Sequence, residues 1–231
     1  MVNRIPAGLK YAVFDLDNTL VKGRVASYVG KSYFFHQLYR FRLDHLYKGV
    51  KGMRRVNEIL KAGGEDAEAR GLEAFIGALG ETGIATWDTI YEYSKSAVER
   101  HALPGAKEFV GRCKDNGFQT YIATIGLIIS AQAARNYFGV DGARGNPLIA
   151  ENGIIKGVNL AMKTGEDRLR EVKTIVNPDQ ALVVGDSRLD WPLMDAAGFS
   201  VAAPLADEET KKRADIAITD FRNLEFEPRR V

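Results

Sequence analysis

The sequence predicts an α/β fold: an open, doubly wound parallel sheet with an α-helical segment inserted after the strand at 11–14. Three observations carry that prediction. Short apolar runs of strand character alternate with helical patterns of about 10–15 residues, the rhythm of a parallel sheet with right-handed crossovers. Two of the apolar runs end in aspartates, at Asp15 and Asp186. From Lys22 to about residue 100 the alternation stops, and helical stretches joined by glycine pairs such as Gly63-Gly64 take its place.

The first run, "YAVF" (11–14), is short, apolar and without polar alternation, as a strand buried on both faces should be. It leads into "DLDNT", where Asp15 and Asp17 stand two apart. Residues two apart on a strand point the same way, so both carboxylates aim at one place and repel each other. A cation, a shared proton or solvent must offset that repulsion. After the insertion, "PGAKEFVGRCKDNG" reads as a helix opened by Pro104 and closed by Gly117. "FQTYIA" (118–123) is the next strand, with Thr124 at its end and the Ile125-Gly126 amides opening a helix. "IAENGIIKGV" (149–158) holds Asn-Gly between apolar residues, a hairpin signal. "GEDRLREVKTIV" (165–176) is a helix with Leu169, Val172, Ile175 and Val176 on one face, ended by Pro178. "ALVV" (181–184), "FSVAA" (199–203) and the weaker "DIAI" (215–218) are strands, and "LDWPLMDAAG" (189–198) is a short helix. The closing "FEPRRV" reads as a surface tail.

A chain of 231 residues with 45% hydrophobic content supports one core domain plus an insertion. A net charge of +2 does not mark a nucleic-acid binder. Cys113 is the single cysteine, which excludes an intramolecular disulfide, and its helical context reads as a buried small hydrophobe. "MVNRIPAGLK" lacks a signal h-region and no stretch approaches the ~18 apolar residues of a membrane span, so a reducing, cytoplasmic setting is the simplest expectation. Charge is uneven within the insertion: residues 22–55 hold nine Lys/Arg and one acid, Asp44, while 56–100 hold nine acids against four bases. The stretch "YVGKSYFFHQLYRFRLDHLYKGVKGMRR" has three readings: Tyr33, Phe34, Phe35, Leu38 and Phe41 pack the insertion's own core; its cations attract an anionic substrate; or it lies on an anionic membrane. His36 and His45 lack metal-ligand spacing and read as ordinary residues.

The chemistry concentrates at strand ends. Asp186 follows "LVV" through Gly185, and Asp190 lies one turn further on. Ligands of an open parallel sheet bind beyond the carboxyl ends of its strands, so Asp15, Asp17 and Asp186 should converge there. Several carboxylates in one crevice call for a cation, and all-oxygen ligation suits Mg²⁺. An Asp beside Mg²⁺ can act as a nucleophile, and the second Asp suits a general acid and base. Phosphoryl transfer needs donors around the equatorial oxygens, which Thr124, the Ile125 and Gly126 amides and Lys163 would supply.

On these residues the chain resembles the haloacid dehalogenase superfamily, in its phosphoserine-phosphatase-like branch. "DLDNT" is similar to the family's DxDxT, Thr124 to its Thr/Ser motif, Lys163 to its lysine motif and "GDSRLD" to its GDxxxD, and "ENGIIKG" before the lysine is a habit of the branch. The resemblance implies a Rossmann-like core (1–21 and 101–231) with an inserted C1-type helical cap domain (22–100). It implies Asp15 as nucleophile, Asp17 as acid/base, and Mg²⁺ held by Asp15, Asp186 and the Asp17 carbonyl. Asp190 would act behind the metal or support Lys163, for which Lys173 is the rival. The expected activity is a Mg²⁺-dependent phosphatase acting on a small phosphorylated metabolite.

Enzymes of this branch that act on phosphoserine carry an acid early in the cap, where this chain has "VKGRVAS", with Lys22 and Arg24; Ile125 also stands where they usually have glycine. An ammonium would be repelled there. The expectation is a substrate with extra negative charge, contacted by Lys22 and Arg24, and phosphoserine as the best substrate of a panel would defeat it. A phosphomutase, a lipid or macromolecular phosphatase, and a non-catalytic phospho-acceptor module are the alternatives, and an aromatic cap surface could form a homodimer contact.

Overall fold

The computed structural model describes residues 3–39 and 43–228. The chain opens with β1 (Asn3–Ile5) and β2 (Tyr11–Phe14), followed by four helices in succession: α1 (Val25–Tyr39), α2 (Leu43–Ala62), α3 (Ala67–Gly80) and α4 (Trp87–His101). Then come α5 (Ala106–Asp115), β3 (Gln119–Leu127), α6 (Ile128–Phe138), β4 (Gly142–Asn146), β5 (Leu148–Glu151) and β6 (Ile154–Val158). The rest is α7 (Gly165–Lys173), β7 (Ala181–Gly185), α8 (Trp191–Asp195), β8 (Phe199–Ala202), α9 (Glu208–Arg213), β9 (Ile216–Ala217) and β10 (Leu224–Phe226).

Six of these strands form one parallel sheet in the order β4-β3-β2-β7-β8-β9. The chain leaves β2 to one side for β3 and β4, then returns across β2 to β7, β8 and β9. The winding therefore reverses at β2, and a crevice opens beyond the carboxyl ends of β3, β2 and β7. The unbroken apolar run of β2 has its cause in the layers around it. Ala12 and Phe14 belong to a core shared with Phe109, Val110 and Cys113 of α5 and Ile129 of α6. Val13, pointing the other way, joins Val172, Val176, Leu193 and Met194. The Cys113 thiol is buried, and burial pushes its pKa up, as a structural cysteine requires.

The inserted helices are held by small residues and glycine turns. A Cβ added at Gly52 of α2 would stand 2.2 Å from the Ala78 Cβ of α3, so these helices approach closer than a side chain allows. Gly63 and Gly64, with φ of 70° and 105°, turn the chain between them. The hairpin forms at Asn152-Gly153, both with positive φ, and its Ile155 N–H donates to Ala85 O at 2.8 Å, tying it to the inserted segment. Tyr33 and Phe34 pack inward as expected, whereas Phe35 is 58% exposed and His36 is also exposed. Phe41 lies outside the described residues, as do the side chains of Leu38 and His45, so the expectations for these three lie outside what is described. Among the described residues no helix is long and apolar enough to cross a membrane.

Three features differ from the sequence expectation. β3 continues through Thr124, Ile125 and Gly126 to Leu127, with its register to β4 broken between Ala123 and Leu127, so the following helix starts at Ile128. The helix expected over 189–198 is a 3₁₀ turn (Arg188–Asp190) and α8, because Asp190 is committed to a capping box with Ser187. The expected tail begins inside a strand: β10 pairs in parallel with β1, and Phe226 stacks near Phe109 and Phe118.

Candidate active site

Strand register places the acidic groups. Phe14 of β2 pairs with Val184 of β7 and with Ile122 of β3, so Asp15, Asp186 and Thr124 lie one or two residues past a common level. Asp15, Asp17, Thr124, Ile125, Gly126 and Asp186 together line a cavity of about 200 Å³, which Arg24 and Glu68 of the inserted segment also reach.

Each side chain is held locally. Asp17 accepts the Val25 N–H at 2.9 Å and so caps the start of α1 through Oδ1. Its Oδ2 lies toward Gly126, where an added Cβ would stand 3.9 Å from Oδ2 and 3.2 Å from Thr124 Oγ1. The Gly126 N–H donates to Thr124 Oγ1 at 3.0 Å, and buried Asn146 donates to Ile125 O at 2.6 Å. These bonds keep the end of β3 extended where a helix start was expected. Thr19, fully buried, donates to Asp186 Oδ1 at 3.3 Å. Asp190 is buried behind Asp186, and its Oδ2 accepts the Asp186 and Ser187 N–H groups at 2.9 Å each. Gly185 is required by this turn, since a Cβ there would meet Asp190 Cγ at 2.3 Å.

The structure does not bring Lys163 or Lys22 to the cavity: both are exposed, and neither is among its lining residues. The Lys163 N–H donates to Asp167 Oδ2 at 3.0 Å, beside the capping box of Thr164 and Asp167 that begins α7. Its side chain is therefore left outside the helix, in solvent. The buried cation is Arg168, further into α7 and 2% exposed. Its Nη1 donates to Asp15 Oδ1 at 2.9 Å, while its Nη2 donates to Leu189 O at 2.6 Å and pairs with Asp190. Burial works against its charge, but Asp190 and Asp15 hold it protonated. Its Nε is buried without a partner among the described residues. Sequence reasoning missed Arg168 although a signal existed: Gly165, Arg168 and Val172 form the buried stripe of α7. Thr19 and Glu68 were also missed. Thr19 sat inside "DLDNT"; Glu68 gave no local signal.

Arg24 reaches the cavity, but not as an unpaired cation, because it forms an ion pair with Glu68. The absence of an acid near Arg24 in sequence is thus made good in space.

The carboxylates are held protonated more readily than in water. Burial first, then the charges of Asp190, Asp186 and Asp17, keep Asp15 well above the ordinary 3.8, despite Arg168. Burial, with Asp190 and Glu68 adding to it, pushes Asp186 up to about 8. Burial raises Asp17 to about 6, against the Val25 N–H. The folded protein therefore binds protons that the unfolded chain releases, and stability must fall as pH rises through this window. In EDTA the melting temperature is expected to be lower at pH 8 than at pH 5. A melting temperature that rises between those values would contradict this electrostatic picture.

Comparison with known proteins identifies the family and the fold. The family model of haloacid dehalogenase-like hydrolases matches residues 9–198. A phosphoserine phosphatase of Polaromonas sp. (strain JS666 / ATCC BAA-500) is 27% identical over 186 residues, covering 68% of this chain and 78% of that protein. One from Archaeoglobus fulgidus is 25% identical over 215 residues, covering 90% of this chain but 56% of its own length, so the chain spans little more than half of that relative. A solved phospho-aspartyl intermediate analogue of phosphoserine phosphatase superposes with a TM-score of 0.68 at 22% identity, covering 93% of this chain and 96% of that one. At that identity the likeness speaks for the fold.

Proposed function

The chain belongs to the haloacid dehalogenase-like hydrolases, and from that membership we propose a Mg²⁺-dependent phosphatase that hydrolyses a small phosphomonoester through an aspartyl-phosphate on Asp15. The observation that carries the reading is the convergence of Asp15, Asp17, Thr124 and Asp186 on one cavity at the sheet's switch point. A fold relative captured as a phospho-aspartyl analogue supports the same chemistry.

The donor set fits Mg²⁺. Among the described residues no three acidic, histidine or cysteine side chains form a metal site by themselves. The set proposed is two carboxylates, Asp15 and Asp186, with the Asp17 carbonyl and water, hard oxygen donors suited to this ion. When bound, Mg²⁺ supplies positive charge that draws Asp15 and Asp186 into their ionised forms and offsets charge on the phosphoryl oxygens. Arg168 gives Asp15 a second, permanent counter-charge and fixes its Oδ1, leaving Oδ2 for attack on phosphorus. Thr124 and the β3 end bind the phosphoryl oxygens. Asp17 donates its proton to the leaving oxygen, then takes one from the water that attacks phosphorus and expels the Asp15 carboxylate with release of phosphate. The four inserted helices act as a cap over the site. Lys163 has no part in this scheme; Arg168 takes the role expected of it. Lys22 likewise has none, and the pairing of Arg24 with Glu68 speaks against the additional anionic group expected of the substrate.

The test is phosphate release from para-nitrophenyl phosphate and from an alkyl phosphate, with Mg²⁺ and with EDTA. Para-nitrophenolate leaves without a proton; an alkoxide does not. Asp17→Asn is therefore expected to lower kcat/KM for the alkyl ester by about 10²–10⁴-fold and for the aryl ester by much less. Equal losses for both esters would remove Asp17 as the acid. Turnover that is indifferent to EDTA would remove the metal.

A further inference from the structure

We infer that the substrate's leaving group is apolar, an alkyl or aryl chain on the phosphate oxygen, and that the facing sides of α2 and α3 receive it; this rests on the phosphomonoesterase reading above. The cavity has two chemically different ends. Beside the acidic strand ends it is polar. Toward the inserted helices its wall is Ala26, Met53, Val56, Leu60, Leu72 and Phe75. Met53, Val56 and Leu60 fall at i, i+3 and i+7 of α2, one continuous stripe, while Lys51, Arg54, Arg55 and Glu58 are exposed on the same helix. The stripe meets Leu72 and Phe75 of α3 across glycines that let the walls close. A Cβ on Gly71 would stand 3.3 Å from Leu60 Cδ2, and one on Gly30 would stand 2.8 Å from Phe75 Cε2 and 3.4 Å from Met53 Sδ.

The charged groups at this end face each other. Arg24 and Glu68 neutralise each other. Asn18 Oδ1 accepts the Gly23 N–H at 2.9 Å, Ser187 beside the acidic strand ends donates to Asp190, and Ser27 adds a hydroxyl to the wall. A leaving group carrying an ammonium or carboxylate meets an Arg24–Glu68 pair of no net charge, and a neutral polar one loses water against apolar carbon. An apolar chain gains about 25 cal/mol for each Å² it buries there. The wall therefore favours hydrocarbon over an amino-acid ester.

The experiment is a series of n-alkyl phosphates from methyl to octyl, with phosphoserine beside them, followed by phosphate release. kcat/KM is expected to rise with chain length, by up to about 4-fold per methylene, and to level off once the cavity is full. Phosphoserine is expected to fall below propyl phosphate, its near match in size. Met53→Gln keeps the length and helix propensity of the side chain while making it polar, and should flatten the slope. Turnover that is flat or falls with chain length overturns the inference and leaves the phosphatase reading standing. Binding of n-alkyl phosphonates to Asp15→Asn protein separates the two failures. Chain-length-dependent binding without turnover of any ester would defeat the hydrolase reading alone; length-independent binding would defeat the apolar site.

Discussion

Asp15→Asn is expected to abolish turnover of every phosphomonoester, a loss of at least about 10⁴-fold in kcat, as removal of a covalent nucleophile does elsewhere. Among the described residues no neighbouring group offers a replacement. Asp17 is held by the Val25 N–H at the head of α1, and Asp186 is engaged by Thr19. The same substitution should not weaken the fold. In the folded state the Asp15 charge is opposed by burial and by Asp190, Asp186 and Asp17, and only Arg168 favours it. A neutral isostere removes that net cost, so in metal-free buffer at neutral pH the variant should melt at or above the wild-type temperature. Activity and stability then move apart, the signature of a strained catalytic group. Loss of both together would make Asp15 a structural residue and remove the aspartyl-phosphate mechanism.

What was legible in the sequence had local causes. The β2 run shows its two buried faces because nothing polar interrupts it, and Asn152-Gly153 shows a hairpin because only such residues take positive φ cheaply. Asp15, Asp17 and Asp186 were legible because they end apolar runs, and parallel register does the rest. What was hidden depends on partners far along the chain. Glu68 lies 44 residues from Arg24, so a count of charges along the early insertion shows nine cations against the single acid Asp44 and does not reveal the partner of Arg24. β1 and β10 pair from opposite ends of the chain through three residues each, too short to announce themselves. The end of β3 is hidden from the sequence because Asn146, on the adjacent strand, holds Ile125 O and keeps that segment extended. Lys163 matches the lysine motif by its place in the sequence, whereas the cation that the fold buries is Arg168, set by the direction the α7 face points.

That last difference gives the second large effect. Arg168→Leu is expected to cost about 3–5 kcal/mol of stability, because removing one partner from a buried ion pair leaves the others uncompensated. Here the orphans would be Asp15 and Asp190, facing each other in a buried site with Leu189 O also left unpaired. Asp190 in turn orders the backbone N–H groups of Asp186 and Ser187, so the damage should spread to the end of β7. Arg168→Lys keeps the charge but not the fork: one ammonium cannot reproduce two nitrogens serving Asp15 on one side and Leu189 and Asp190 on the other. It should fold better than Arg168→Leu, yet its acid limb of kcat/KM should move to higher pH, because Asp15 loses part of the counter-charge that keeps it ionised. Lys163→Ala, by contrast, removes an exposed side chain; stability should change by no more than about 0.5 kcal/mol and turnover by less than about twofold. Urea unfolding midpoints and pH–rate profiles of the three variants decide the matter. If Lys163→Ala proved inactive while Arg168→Lys kept the wild-type profile, the working cation would be the lysine, and α7 would have to turn its entrance toward the cavity when substrate binds.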